Sequence, residues 1–137
     1  MTPICVLVVG TEKRFGNDIQ EFKNYLSSIG CDVTVLTIGK DRVTRSVRHI
    51  VSATGAQPFL LAYKGHGSPL GWEGGHLYLS LAFTLRKIQG DLVVINETCY
   101  GHSLIKYLRF LRSACNTCVI APFDSKDKSY GGSIRDA

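Results

Sequence analysis

Five short, almost unbroken apolar runs punctuate the chain, at Ile4–Val9, 32–38, 59–63, 92–96 and 117–121. They are rich in Val, Ile, Leu and Cys, the pattern of central strands covered on both faces. Longer segments with helical periodicity lie between them. The first carries Ile19, Phe22, Tyr25, Leu26 and Ile29, with Asn17 or Asp18 as its expected cap and Gly30 as its stop. The second aligns Val43, Val47, Ile50 and Val51 between Asp41 and Gly55. Residues 81–88 and 102–114 supply a third and a fourth, the latter with Leu104, Ile105, Leu108 and Leu111 facing inward. The order is βαβαβ, an interruption, then αβαβ. It predicts one domain over residues 1–137, with a mainly parallel sheet of about five strands and helices on both faces. The interruption, 65–80, is glycine-dense around Trp72 and reads as a loop with a small hairpin. After residue 121 the chain turns polar, and 122–137 reads as a loop or mobile tail.

Composition narrows the class. With 137 residues, 45% of them hydrophobic, the chain can bury roughly two-thirds of its unfolded surface, so folding needs no disulfide or metal. Five cysteines is an odd number, and they are scattered, which suits reduced thiols and a cytoplasmic location. Sixteen basic against 11 acidic residues leave a net charge of +5. The basic residues Arg42, Arg45 and Arg48, and again Lys106, Arg109 and Arg112, recur at helical intervals without interleaved aromatics. This spacing predicts solvated helix faces, with no nucleic acid as partner. The apolar run at the N-terminus is too short to span a bilayer and lacks the flanks of a signal peptide, so no membrane association is expected.

In sheets of this type ligands gather at the carboxyl ends of the strands. There the third strand delivers Lys64-Gly65-His66-Gly67-Ser68 and the fourth delivers Asn96-Glu97-Thr98-Cys99-Tyr100-Gly101. A thiol becomes a nucleophile when a base takes its proton and donors await the oxyanion. His66 is a candidate base, Cys99 a candidate nucleophile before a helix N-terminus, and the Gly67 and Cys99 amides are candidate oxyanion donors. Spacing alone favours a buried strand-end thiol and a turn histidine, because cysteine is often buried and inert.

The local words add a resemblance. The stretch from Leu60 to Ser68 resembles the apolar-strand–Gly-His-Gly signature of caspase-like (clan CD) cysteine peptidases. The stretch from Leu92 to Cys99 is similar to the second signature of that family, an apolar strand ending in acid-x-Cys, as in metacaspases and legumains. The resemblance covers roughly residues 4 to 130. It implies a three-layer caspase-like α/β fold and an endopeptidase, with His66 and Cys99 catalytic and Gly67 and Cys99 forming the oxyanion hole. It also implies substrate binding by Glu97, Arg14, Ser129 and Tyr130, with cleavage after Arg, Lys or Asn. Three features depart from the family, one being that Cys99 follows His66 by fewer residues than in most members. Tyr100-Gly101-His102-Ser103 follows the cysteine where a small glycine-containing turn is usual, and no sixth strand is evident after Tyr130. The alternative is therefore a catalytically weak or inactive interaction module. The expected partners are a protein or peptide substrate, and a second copy or another chain at the open sheet edge.

Other motifs carry less chemistry. Cys115-Asn116-Thr117-Cys118 lacks the second ligand pair of a zinc site, and it enters a strand where a redox motif would open a helix. Neither glycine-rich turn has the ending of a phosphate loop. No metal and no cofactor are expected. Trp72 is either a loop anchor or a substrate-facing platform.

Overall fold

In the computed structural model, residues 2–112 and 117–121 are described. Every apolar run becomes a strand: β1 (Ile4–Val9), β2 (Asp32–Thr37), β3 (Phe59–Lys64), β7 (Leu92–Glu97) and β8 (Thr117–Ile120). They form one sheet in the order β2-β1-β3-β7-β8, parallel throughout. Strand alternation sorts side chains to two faces. Cys5, Leu7 and Val9 pack under helix α1 (Lys13–Ser28) against Phe15, Ile19 and Leu26. Val6, Val8, Leu61, Tyr63 and Val94 face the other way, beneath α2 (Val43–Ala53), α3 (Tyr78–Leu85) and α4 (Ser103–Leu111). The fold is a three-layer α/β sandwich, as the alternating pattern predicts.

The chain leaves β1 in one direction to reach β2 and in the other to build β3, β7 and β8. The gap between the carboxyl ends of β1 and β3 is therefore the topological switch point, where such folds open a crevice. The segment between β3 and α3 folds into a small antiparallel sheet of β4 (Gly67–Ser68), β5 (Gly71–Trp72) and β6 (His76–Leu77), with a 3-10 turn at Glu73–Gly75. The expected hairpin is present, and it stands directly over that crevice.

All four helices differ from expectation at a boundary or cap. Helix α1 begins at Lys13, so Asn17 and Asp18 lie inside it, and Asp18 spends its carboxylate on Lys64. Asp41 accepts from the Thr37 amide at 2.7 Å and does not cap α2. Helix α3 starts at Tyr78, where the Tyr78 amide donates to Leu70 O and closes the hairpin. Helix α4 stops at Leu111; the Arg112 guanidinium turns to Ile88 O, Gly90 O and Thr117 Oγ1 and joins the helix end to β8. Among the described residues no helix is long and apolar enough to cross a membrane.

Candidate active site

Strands β3 and β7 are paired in register, with Lys64 opposite Glu97, so their ends are flush and the turns beyond them start side by side. The period of two sends Lys64 and Glu97 toward α1. There Lys64 Nζ meets Glu97 Oε1 at 2.7 Å and Asp18 Oδ2 at 3.1 Å, all three side chains being buried. Glu97 is thus a structural ion-pair partner, 5% exposed, and not the open wall of a substrate pocket. The carboxylate that the resemblance assigns to reading the substrate is committed to a lysine of its own chain.

The same alternation turns Asn96 to the opposite face, where it is fully buried. Its Oδ1 accepts from Trp72 Nε1 at 2.8 Å, and its Nδ2 donates to Gly101 O at 2.6 Å and Tyr78 Oη at 3.1 Å. One side chain thereby fixes the Cys99 turn to the hairpin and to α3. Trp72 is an anchor: it is buried and stacks on Tyr63 at 4.3 Å between ring centroids. Burial pushes the Tyr78 hydroxyl up to about 12; its bond with Asn96 offsets part of this, and charge on Cys99 adds to it. Tyr100, next in the chain, holds φ at +59°, a conformation uncommon for a residue with a side chain.

On the other side of the turn, Gly67 lies against Thr98 and Cys99. A Cβ on Gly67 would overlap Thr98 Oγ1 and stand 3.1 Å from Cys99 O. The histidine turn and the cysteine turn are in backbone contact, and only glycine permits it. Gly65 is fixed in the same way, by Tyr63 Oη and Gly10 Cα.

His66 itself turns toward the switch point. Its Nε2 donates to Glu12 Oε1 at 2.5 Å, its ring meets Phe15 edge-on at 5.4 Å, and its amide donates to Glu73 Oε2 at 2.9 Å. A carboxylate only accepts, so the proton sits on Nε2 and leaves Nδ1 as the basic nitrogen. The bond from His66 holds the Glu12 carboxyl below its ordinary value, with help from Arg14. Glu73 also accepts from the Thr11 hydroxyl at 2.6 Å and the Thr11 amide at 3.0 Å. Burial alone would raise the Glu73 carboxyl, but these bonds and that of His66 hold it low. Among the described residues no hydrogen bond joins His66 to Cys99.

Of the remaining expected site residues, Arg14 is exposed, pairs with Glu12 Oε2 at 2.7 Å and lies 4.8 Å from the Phe15 ring centroid. It belongs to the histidine's surroundings. Ser129 and Tyr130 lie outside the described residues, as does Cys115 of the C-x-x-C pair; Cys118 is exposed and free. His76 is half-buried and bonded to Thr44 Oγ1 at 2.6 Å. Among the described residues no cluster of three or more His, Cys, Asp or Glu could hold a metal ion.

Sequence reasoning missed Glu12, Glu73 and Asn96. Asn96 carried a usable signal, as a polar residue inside an apolar strand must find buried partners. Glu12 and Glu73 carried none, because their partners are set by the pairing of β1 with β3.

A comparison with known protein families finds no match for this chain, and no curated protein matches it.

Proposed function

We propose that the protein is a thiol hydrolase of the cysteine-peptidase type, with Cys99 as nucleophile and His66 as the proton carrier. The observation that supports the reading is the seating of Gly67 against Thr98 and Cys99, which joins the two turns at the ends of paired strands. The resemblance of the Gly-His-Gly and acid-x-Cys words to caspase-like peptidases agrees with it, as does the hairpin and helix between them.

In the proposed reaction the Cys99 proton passes to His66 Nδ1, and the thiolate sulfur attacks the carbonyl carbon of a peptide bond. The Gly67 and Cys99 amides stabilise the oxyanion. Collapse breaks the C–N bond, and the imidazolium returns its proton to the departing amine. Water, deprotonated by His66, then cleaves the thioester and releases the carboxylic acid and the thiol. Glu12 holds Nε2–H, so its negative charge offsets the imidazolium formed in each half. Glu97 is engaged with Lys64 inside the chain, whereas Arg14 sits in an exposed pair beside His66.

The absence of a His66–Cys99 hydrogen bond among the described residues favours a second reading, a non-catalytic interaction module. One experiment separates them. A peptidyl acyloxymethyl ketone mixture varied at the residue before the ketone is incubated with wild type, Cys99→Ala and His66→Ala, and adducts are mapped by mass spectrometry. The peptidase reading expects an adduct on Cys99 in wild type, none in Cys99→Ala, and labelling at least ~10-fold slower in His66→Ala. A folded wild type that labels no faster than His66→Ala, with any member of the mixture, establishes the second reading.

A further inference from the structure

Helices α2, α3 and α4 lie side by side on one face of the sheet, with α3 packed against both neighbours. Their sequences contain no aspartate or glutamate. Arg45 and Arg48 on α2, Arg86 and Lys87 just after α3, and Lys106 and Arg109 on α4 are all exposed. On the opposite face, by contrast, α1 mixes the exposed Lys13 and Arg14 with the exposed Glu21. The modest net charge of +5 thus understates the field over the three-helix face.

Between the two basic flanks runs an apolar row. Helix α3 reads Tyr-Leu-Ser-Leu-Ala-Phe-Thr-Leu, apolar on nearly all sides. A helix of that composition belongs in an interior. Yet Leu79 and Phe83, one turn apart, are 48% and 43% exposed, and Leu77 just before the helix is 48% exposed. The Arg86 guanidinium lies over the outer Phe83 ring at 4.8 Å from its centroid.

We propose that this face is the docking surface for an acidic amphipathic helix of a partner protein, its apolar stripe seated on Leu79 and Phe83 and its carboxylates flanking toward α2 and α4. The apolar row is one helix wide. With adjacent helices 8–10 Å apart, the α2 and α4 axes stand roughly 16–20 Å apart, which brackets one helix and its side chains. Charge selects the partner: an acidic segment is drawn in, and a second copy presenting the same basic face is repelled. The surface is formed by the helix layer and does not depend on the peptidase reading.

The test uses the full chain and a fluorescein-labelled amphipathic peptide of about 16 residues built from Glu, Leu and Ala, read by anisotropy. Controls are a scrambled peptide, a Lys-for-Glu peptide, and vesicles of phosphatidylserine and phosphatidylcholine. Saturable binding of the Glu peptide that weakens with salt is expected, with the scrambled and Lys forms at least ~10-fold weaker. Leu79→Ser/Phe83→Ser weakens it roughly tenfold or more, and Arg45→Glu/Arg48→Glu by a similar factor. Lys23→Ala and Cys99→Ala bind as wild type does. Circular dichroism checks each fold, and the salt series on wild type stands without any variant. The proposal is overturned if the Glu peptide does not saturate, if the three peptides bind alike, or if the serine and glutamate variants bind as wild type. Binding to the anionic vesicles without binding to the peptide replaces the protein partner with a membrane. Self-association abolished by Leu79→Ser/Phe83→Ser replaces it with a second copy.

Discussion

Two ion networks meet at the carboxyl edge of the sheet, and they differ in almost everything but their position. One joins Asp18, Lys64 and Glu97 in the interior, Lys64 being 1% exposed. The other joins Arg14, Glu12 and His66 at the surface, with side chains 60%, 45% and 50% exposed. The buried network ties α1, β3 and β7 together just beneath the turns. Its charges have left water, and each depends on the others for compensation. Water screens the exposed network, so it can rearrange cheaply. The contrast assigns a task to each: the inner set fixes where the two turns stand, and the outer set governs which nitrogen of His66 carries the proton. For the proposed peptidase, a scaffold held by the costlier interaction and a histidine held by the cheaper one is the division that proton transfer needs.

The largest effect expected from breaking this contrast is at Lys64. Lys64→Met leaves two carboxylates buried without their cation and should cost roughly 3–5 kcal/mol in urea denaturation. Replacing Lys64, Asp18 and Glu97 together with apolar residues should cost less than the single change; an equal or greater loss would show that packing, not charge, holds the junction. Next is Asn96→Ala, which strands Trp72 Nε1 and Gly101 O in the interior and should cost roughly 2–4 kcal/mol. It should also loosen the Cys99 turn, read as faster amide exchange at Thr98–Gly101.

A smaller effect is expected at Glu73, which clamps the His66 turn to Thr11. Its folded value is depressed, so its contribution is present above the unfolded value near 4.5 and is lost as pH falls through the lower folded value. The clamp is partly exposed and screened, so Glu73→Gln should cost no more than about 1 kcal/mol at pH 7. The variant should also lose less stability than wild type between pH 5 and about pH 3, measured by denaturation at each pH.

Much of the scaffold was legible in the chain. Continuous apolar runs fix β1, β3 and β7, because a strand buried on both faces has no room for polar alternation. Lys64, Asn96 and Glu97 at the strand ends were harder, since each is polar yet interior and its partner comes from a different element. Helix α1 was set too late because Asn17 and Asp18 resemble caps, while the buried ion pair explains Asp18 better. The start of α3 was hidden by the alternation of Leu77, Tyr78 and Leu79, which suits a strand until the Tyr78 amide is spent on Leu70. His66 and Cys99 stood out as local words. Their supporting residues did not, since Glu12 lies 54 positions from His66 and meets it only through the pairing of β1 with β3.

The central claim is that His66, poised by Glu12, takes the proton of Cys99, and alkylation of that thiol reads it most directly. Iodoacetamide modification of native protein, mapped by peptide at each cysteine, isolates Cys99 from the exposed Cys118 and from buried Cys5, whose thiol is pushed up to about 12. At pH 7 the account predicts that His66→Ala slows Cys99 modification by at least ~10-fold, that Glu12→Gln gives an intermediate rate, and that Cys118 is unchanged in all three proteins. Equal Cys99 rates in wild type and His66→Ala would contradict it.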